Sequence, residues 1–184
     1  MHFKEANSEK KMNTVRNSFM LLLLIIALTT FCQNTVPQNL NGKEKIGWIP
    51  FDNNLDNPKF KVCDELNIQE YYQVNPSYGE GMQSIRNYIS AHKQVLETLC
   101  EKDGYVIIRF VINCQGQTDR YRTKFMTLNY TNENSINAEL QNKIIQVTRN
   151  MGNWNPGKYD GKTYDCYQHL KFLFKKSQLV DVLF

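Results

Sequence analysis

Apolar residues recur at helical spacing in the middle of the chain. Between Met82 and Leu99 they are separated by three, four or seven positions, which predicts an amphipathic helix with one buried stripe. That stripe comprises Met82, Ile85, Ile89, Leu96 and Leu99, and His92 lies at its edge. We interpret His92 as a histidine at the boundary of the buried stripe rather than as a ligand.

The stretch 104–114, GYVIIRFVINC, alternates along its length and predicts a β-strand. One face is wholly apolar and is expected to point to the core; it comprises Val106, Ile108, Phe110, Ile112 and Cys114. The other face carries Arg109 and is expected to be half exposed. Gly116 supplies a turn, and residues 120–130 return as a partner strand, so the two strands form a hairpin.

Helical spacing returns in residues 135–151. Asn134 or Ser135 can cap the start of this second helix, and Gly152 can end it. Its apolar face comprises Ile136, Leu140, Ile144, Val147 and Met151.

A third strand is predicted over residues 163–174, and a short final strand follows a turn near Lys176 and Ser177. The apolar face of the third strand is interrupted by Gln168 and otherwise comprises Tyr164, Cys166, Leu170, Phe172 and Phe174. The opposite, polar face carries Asp165, Tyr167, His169 and Lys171.

The order helix, strand, strand, helix, strand predicts an α+β two-layer domain. We expect a mostly antiparallel three-stranded sheet with the helices packed on one face. This domain is expected to span residues 61–184, because residues 33–60 are polar and interrupted by prolines and indicate a linker or an extended lead-in. Trp48, Ile49 and Phe51 are the residues of that lead-in which could dock onto the domain.

The N-terminal residues 1–32 have the pattern of a signal peptide. An uncharged apolar run at residues 19–31 follows Lys10, Lys11 and Arg16 and is shorter than the about 20 residues that a membrane-spanning helix needs. Cleavage after Cys32, lipidation of Cys32 as a lipoprotein, and retention as an uncleaved anchor all remain open. Each places the domain outside the cytoplasm, and we expect a bacterial periplasm.

The charge balance excludes one class of partner. Residues beyond 32 carry 18 basic and 16 acidic side chains, so the domain lacks the basic footprint of a nucleic-acid-binding protein. The lipid anchor at Cys32 is the one contact with a membrane that the sequence suggests.

The sequence favours neither of two candidate chemistries. The segment GKYDGKT resembles a phosphate-binding loop, but Pro156 stands where the motif needs its first glycine, so Lys158 and Lys162 are interpreted as solvated charges. His169 beside Asp165 could act as the general base of an envelope hydrolase, although an exposed strand histidine is the simpler interpretation. No cofactor site, zinc motif or enzyme active site is predicted.

Three segments in order carry a family resemblance: YGEGMQSIRNYI, GYVIIRFVINCQGQTD and WNPGKYDGKTYDCYQHLKF. Over residues 78–175 they resemble the C-terminal domain of TonB-type proteins. The sequence also resembles exported proteins of unassigned role from Bacteroidetes-like bacteria. The matching positions are Gly104, Phe110, Gly116, Trp154, Pro156, Gly157, Gly161 and Lys162.

The resemblance implies a periplasmic domain that binds a short peptide of an outer-membrane protein by strand addition. The third strand, with Tyr164, Tyr167, His169 and Lys171, or its short follower would be the edge that accepts the peptide. We expect a non-catalytic binding or adaptor domain. The alternative is a TonB-type energy transducer, which needs a permanent membrane helix and a long proline-rich spacer.

Four cysteines follow the leader, and an exported protein can form disulfides. Cys114 and Cys166 both fall on the predicted core face and could meet if the first and third strands are antiparallel neighbours. Cys63 with Cys114 is the rival pair.

Overall fold

A computed structural model describes residues 47–97, 99–133, 137–152 and 154–184, all within one compact unit that spans residues 41–184. The predictions for the signal peptide, for Cys32 and for Asn134, Ser135 and Ile136 lie outside the described residues. The helices are α1 (Tyr71–Val74), α2 (Met82–Ser90), α3 (Lys93–Glu97) and α4 (Ala138–Arg149). The strands are β1 (Gln69–Glu70), β2 (Gly104–Ile112), β3 (Thr118–Met126), β4 (Asn132–Glu133), β5 (Gly157–Tyr159), β6 (Lys162–Tyr164), β7 (Cys166–Lys175) and β8 (Gln178–Leu183).

The main sheet of the described residues has the strand order β1-β7-β2-β3-β4, and β8 pairs with β7. The long pairs β2–β3, β2–β7 and β7–β8 are antiparallel, whereas the two-residue strand β1 runs parallel to β7. The predicted α+β class with a mostly antiparallel sheet is therefore confirmed. The three predicted strands form its centre, but the prediction of a three-stranded sheet was wrong, because the sheet of the described residues has six strands.

The face of the sheet that carries the helices, the helix face, holds the main core. Alternate residues of β2 and β7 point into it, as the pattern predicts, because successive side chains of a strand lie on opposite faces. Leu140, Ile144 and Val147 of α4 pack there with Ile85 and Ile89 of α2. The strand residues of this core are Val106, Ile108, Phe110, Ile112, Cys166, Leu170, Phe172 and Phe174, all fully buried.

The first predicted helix is divided into α2 and α3 at His92. A continuous helix would have the His92 N–H donate to the carbonyl of Tyr88. Instead, that N–H donates to the Ile89 carbonyl, and His92 Nδ1 lies 2.9 Å from the Tyr88 carbonyl oxygen. The half-buried ring of His92 thus occupies the acceptor that the helix would need to continue.

Helix α4 begins later than predicted. Its N-cap is Asn137, whose Oδ1 accepts hydrogen bonds from the backbone N–H groups of Glu139 and Leu140, so the helix starts at Ala138. Gly152 lies just beyond the last turn with a φ of 85°, as expected for a residue that ends a helix.

The opposite face of the sheet differs from the prediction, because residues 47–68 lie across it. This covering segment contains no helix or strand, yet Ile49, Phe60 and Ile68 are buried against Val111 and Tyr167 of the sheet. We call this side the segment face. The expectation of a half-exposed second face was therefore wrong for the part of the sheet under the covering segment, and the docking of Trp48 and Ile49 is confirmed.

A β-bulge shapes the strand that borders this segment. Between the pairs Arg109–Arg122 and Val111–Asp119, both Arg120 and Tyr121 stand opposite the single residue Phe110. Arg120 has a φ of 58°. Tyr121 joins the core of the helix face, whereas Arg120 reaches the backbone of Ile49 in the covering segment.

Strand β7 is not an edge of the sheet, so that prediction is corrected. It pairs with β2 along one side, while β1 and β8 pair with the two ends of its other side. Between them, the His169 N–H donates to the side-chain Oε1 of the buried Gln168. The outer position belongs to β8, the short follower, which the turn at Lys176 and Ser177 introduces with φ values of 50° and 59°.

The segment that resembled a phosphate-binding loop is a β-hairpin. Strands β5 and β6 pair through a turn at Asp160 and Gly161, whose φ values are 47° and 74°. Lys158 and Lys162 are exposed on it, as predicted for solvated charges.

Trp154, which precedes that hairpin, is buried with its ring 5.3 Å from the ring of Phe110. The backbone N–H of Trp154 donates to the Gly116 carbonyl, and a Cβ at Gly116 would overlap the Trp154 carbonyl oxygen, so a glycine is needed there.

Candidate functional site

Polar contacts hold the covering segment on the sheet. The buried carboxylate of Asp165 accepts hydrogen bonds from three backbone N–H groups, those of Cys63 and Asp64 in the segment and of Cys114 beyond β2. Asn113 adds a bond to the Lys61 carbonyl. Asp165 therefore joins two parts of the backbone, and its oxygens are engaged in structural contacts rather than presented to a substrate.

Two arginines of β3 extend these contacts. Arg120 donates to both carboxylate oxygens of Glu65 at 2.6 Å, and Arg122 donates to both oxygens of Asp56 at 2.7 and 2.8 Å. Such two-pronged arginine–carboxylate contacts fix geometry as well as charge.

Burial and neighbouring charges shift the pKa values of two buried carboxyl groups beside these arginines. Burial alone would raise the pKa of Asp56, but the hydrogen bond and charge of Arg122 and the Asp52 N–H lower it below its ordinary value. For Asp119, burial prevails and raises the pKa, and the negative charge of Asp56 adds to this, although its Oδ2 accepts the Asn57 N–H.

A disulfide joins Cys63 of the covering segment to Cys114, so the rival pairing is the one the structure contains. Cys166 lies opposite Ile112 in the sheet and is a buried free thiol, as is Cys100. Burial raises the pKa of the Cys166 thiol to about 12. Although Cys63, Cys114 and Asp165 present ligand atoms within 4.8 Å of one another, the two sulfurs are bonded and the carboxylate is occupied by amides.

Strand β8 provides the edge that the sequence assigned to the third strand or its follower. Val182 lies opposite Phe172, and its N–H donates to the side chain of Asp181, so this amide points away from β7. The Leu179 N–H donates to Glu97 of α3. Two outward donors of this edge are therefore occupied by carboxylates, and Asp181 is also paired with Arg86 at 3.0 Å.

Cationic residues occupy the part of the segment face beyond the covering segment. Register places Lys124 of β3 and Lys171 of β7 on either side of Ile107, and it places Arg122 and His169 on either side of Arg109. We call Arg109, Lys124 and Lys171 the cationic surface. Arg109 lies 3.6 Å from Glu70 and donates to the Gly47 carbonyl at 2.7 Å. Within the described residues, neither lysine has a carboxylate at ion-pairing distance.

A cleft of about 320 Å³ opens beside this surface. Trp48, Ile49 and Pro50 form its wall on the covering segment, and Ile107 and Lys124 line it from the sheet. The indole Nε1 of Trp48 is shielded from solvent and has no hydrogen-bond acceptor in the described part of the chain. The cleft thus joins apolar surface and positive charge.

Burial and neighbouring positive charges both lower the pKa of His169. Burial is the largest cause that lowers its pKa to about 4, and the positive charges of Lys171, Arg109 and Lys124 add to it. The imidazole is therefore neutral near pH 7. Its ring lies 5.0 Å from Tyr71, which also contacts the exposed Phe184.

The sequence-predicted edge residues do not form one edge. Tyr164 ends β6, Tyr167 is buried under the covering segment, and His169 and Lys171 lie on the segment face. Sequence reasoning missed Arg120, Glu65 and the other contacts that hold the segment. One signal was present: β2 is apolar on both faces except at Arg109, a pattern typical of a strand covered on both sides.

No model of a protein family, no curated protein and no solved structure matches the chain. Among the described residues, no helix is both long and apolar enough to cross a membrane. The disulfide is compatible with an exported protein.

Proposed function

We propose that the chain is an exported, non-catalytic binding or adaptor domain of the cell envelope, which takes up an extended peptide of an outer-membrane or other envelope protein by strand addition. The resemblance of residues 78–175 to the C-terminal domain of TonB-type proteins motivates the proposal. The observation that carries it is strand β8, which pairs with β7 and with no other described strand. An exposed edge offers backbone groups to an incoming strand.

The edge suits an extended peptide in its side chains as well as its backbone. Val180 in the strand and Phe184 just after it are exposed by 56% and 46%, so apolar surface flanks the outward backbone groups. Because N–H and C=O of one residue face the same neighbour in an antiparallel ladder, the Val182 carbonyl also points outward.

Asp181 acts as a competitor in this proposal. Its carboxylate accepts the Val182 N–H that an added strand would use, so a peptide must displace it. Replacing Asp181 by alanine removes the competitor and should strengthen peptide binding by about twofold to tenfold, since a hydrogen bond contributes about 0.5–1.5 kcal/mol.

Photo-crosslinking in cells tests the proposal. A photoreactive residue at Val180 should capture a discrete envelope protein through an extended segment, and Asp181→Ala should increase the yield. Tyr159, exposed by 66% on the β5–β6 hairpin, is the matched control position. Equal capture at both positions, or a yield that Asp181→Ala leaves unchanged, would contradict strand addition at β8.

The periplasmic location is part of the same proposal and has its own measurement. N-terminal sequencing and lipid analysis of the exported protein should find a chain that begins near Gln33, or a lipidated Cys32. An intact N-terminus would instead favour the alternative role of an energy transducer anchored in the inner membrane.

A further inference from the structure

We propose that the cleft beside Trp48, together with Lys124 and Lys171, binds an acidic extended polypeptide segment that carries an apolar side chain between two carboxylates. This surface is separate from the outer edge of β8. It therefore goes beyond strand addition and adds a second contact for a partner.

Charge complementarity identifies the chemistry of the occupant. The guanidinium groups of Arg109 and Arg122 already face Glu70 and Asp56, whereas Lys124 and Lys171 have no such carboxylate among the described residues. The lowered pKa of His169 has these same lysines among its causes. An incoming pair of carboxylates would supply the missing partners.

The lining of the cleft favours an apolar side chain between those carboxylates. Its floor includes Ile107, which is 7% exposed, and its wall includes Trp48 and Pro50. Burying one leucine-sized side chain there would remove apolar surface from water on both partners.

The spacing of the lysines fits an extended chain. They lie on the two strands that flank β2, so their Cα atoms are about 10 Å apart, twice the distance of about 4.8 Å between neighbouring strands. In a Glu-x-Leu-x-Glu segment, the three named side chains share one face and the outer two are about 13 Å apart. The long lysine side chains can span the difference.

A polypeptide fits better than a nucleic acid. Only two cations of this surface lack acidic partners within the described residues, whereas a nucleic acid needs a continuous basic track along its phosphates. The apolar cleft would also stay unfilled by a phosphate backbone.

The test uses the full chain and a labelled, end-blocked peptide, Gly-Glu-Ser-Leu-Ser-Glu-Gly, with binding followed by fluorescence anisotropy. We expect saturable binding that weakens as salt is added. Changing Lys124→Glu and Lys171→Glu together should weaken it about tenfold, because two attractive contacts become repulsive ones. The matched control, Lys158→Glu with Lys162→Glu on the β5–β6 hairpin, should leave the affinity unchanged.

Two altered peptides test the apolar contact and the charge contacts of the proposal separately. Replacing the leucine by serine should weaken binding, and replacing both glutamates by lysines should abolish it. The milder pair Lys124→Gln with Lys171→Gln gives the same direction of change if the charge-reversed chain folds poorly. Asp181→Ala should leave this affinity unchanged, which distinguishes the surface from the β8 edge.

Four results would overturn the proposal. They are no binding of the acidic peptide, equal binding of the lysine peptide or of a single-stranded oligonucleotide, equal binding of the serine peptide, and unchanged affinity in both lysine variants.

Discussion

The two faces of the sheet are built from the same strands but in different ways. The helix face is closed by the amphipathic helices α2 and α4, whose apolar side chains pack in one core with those of β2 and β7. The segment face is closed over only part of its area, by residues 47–68 without regular structure, and polar contacts and a disulfide attach this segment. We infer that the helix face supplies most of the stability, while the segment face leaves surface for a partner.

Matched isoleucine-to-alanine changes should give the largest difference between the faces. Ile108→Ala on the helix face should lower the free energy of unfolding by about 4 kcal/mol, because the surrounding core cannot collapse into the cavity. Ile49→Ala in the covering segment should lower it by about 2 kcal/mol, because an irregular segment can shift inward. Urea unfolding measures both losses of free energy, and equal losses would contradict the inferred difference between the two faces.

Removing the disulfide should loosen the segment face. The bond closes a loop between positions 51 residues apart, so Cys63→Ser with Cys114→Ser should lower the free energy of unfolding by about 3 kcal/mol. Hydrogen exchange should rise first in residues 47–68 and little in α4. Cys166→Ala, which removes a free thiol of the helix face, is the comparison variant, and it should not give this local pattern.

Acidification should weaken the fold through His169. Its folded pKa is about 4 against 6.5 for an ordinary histidine, so the unfolded chain binds the proton first. Stability should therefore fall as the pH drops from about 6.5 to about 4, by about 3 kcal/mol, and His169→Gln should flatten this part of the profile. In an NMR titration, Lys171→Gln should raise the pKa of His169, because it removes one neighbouring positive charge.

Neutralising Glu65 should have the smallest effect of the series. Arg120 is buried, but Glu65 is half exposed and its attraction is partly screened by solvent, so Glu65→Gln should lower the free energy of unfolding by about 1 kcal/mol. Glu80→Gln, an exposed change near the start of α2, should have no measurable effect. A loss above that of Ile49→Ala would show that charge, not packing, holds the covering segment.

The helix face followed from the sequence because periodicity is a local property. The stripes of α2 and α4, the alternation of β2 and β7, and the final strand all appear in the pattern of apolar residues. The helix boundary at His92 did not, because it depends on one side chain reaching the Tyr88 carbonyl.

The segment face could not be predicted in the same way. Residues 47–68 have no period, and their place is set by contacts between residues far apart in the chain, such as Arg120 with Glu65 and Asp165 with Cys63. The bulge at Arg120 and Tyr121 also leaves no motif in the sequence. The cationic surface likewise needed the register of three strands, which placed Lys124 and Lys171 beside Ile107.

The two tryptophans of the chain offer the most direct test of this division, since Trp48 belongs to the segment face and Trp154 to the helix face. We would record their indole N–H resonances by NMR while adding the acidic peptide Gly-Glu-Ser-Leu-Ser-Glu-Gly, with Trp48→Phe to assign them. The resonance of Trp48 should move and saturate, and that of Trp154 should stay in place. Movement of Trp154 alone, or of neither resonance, would contradict a binding role for the segment face.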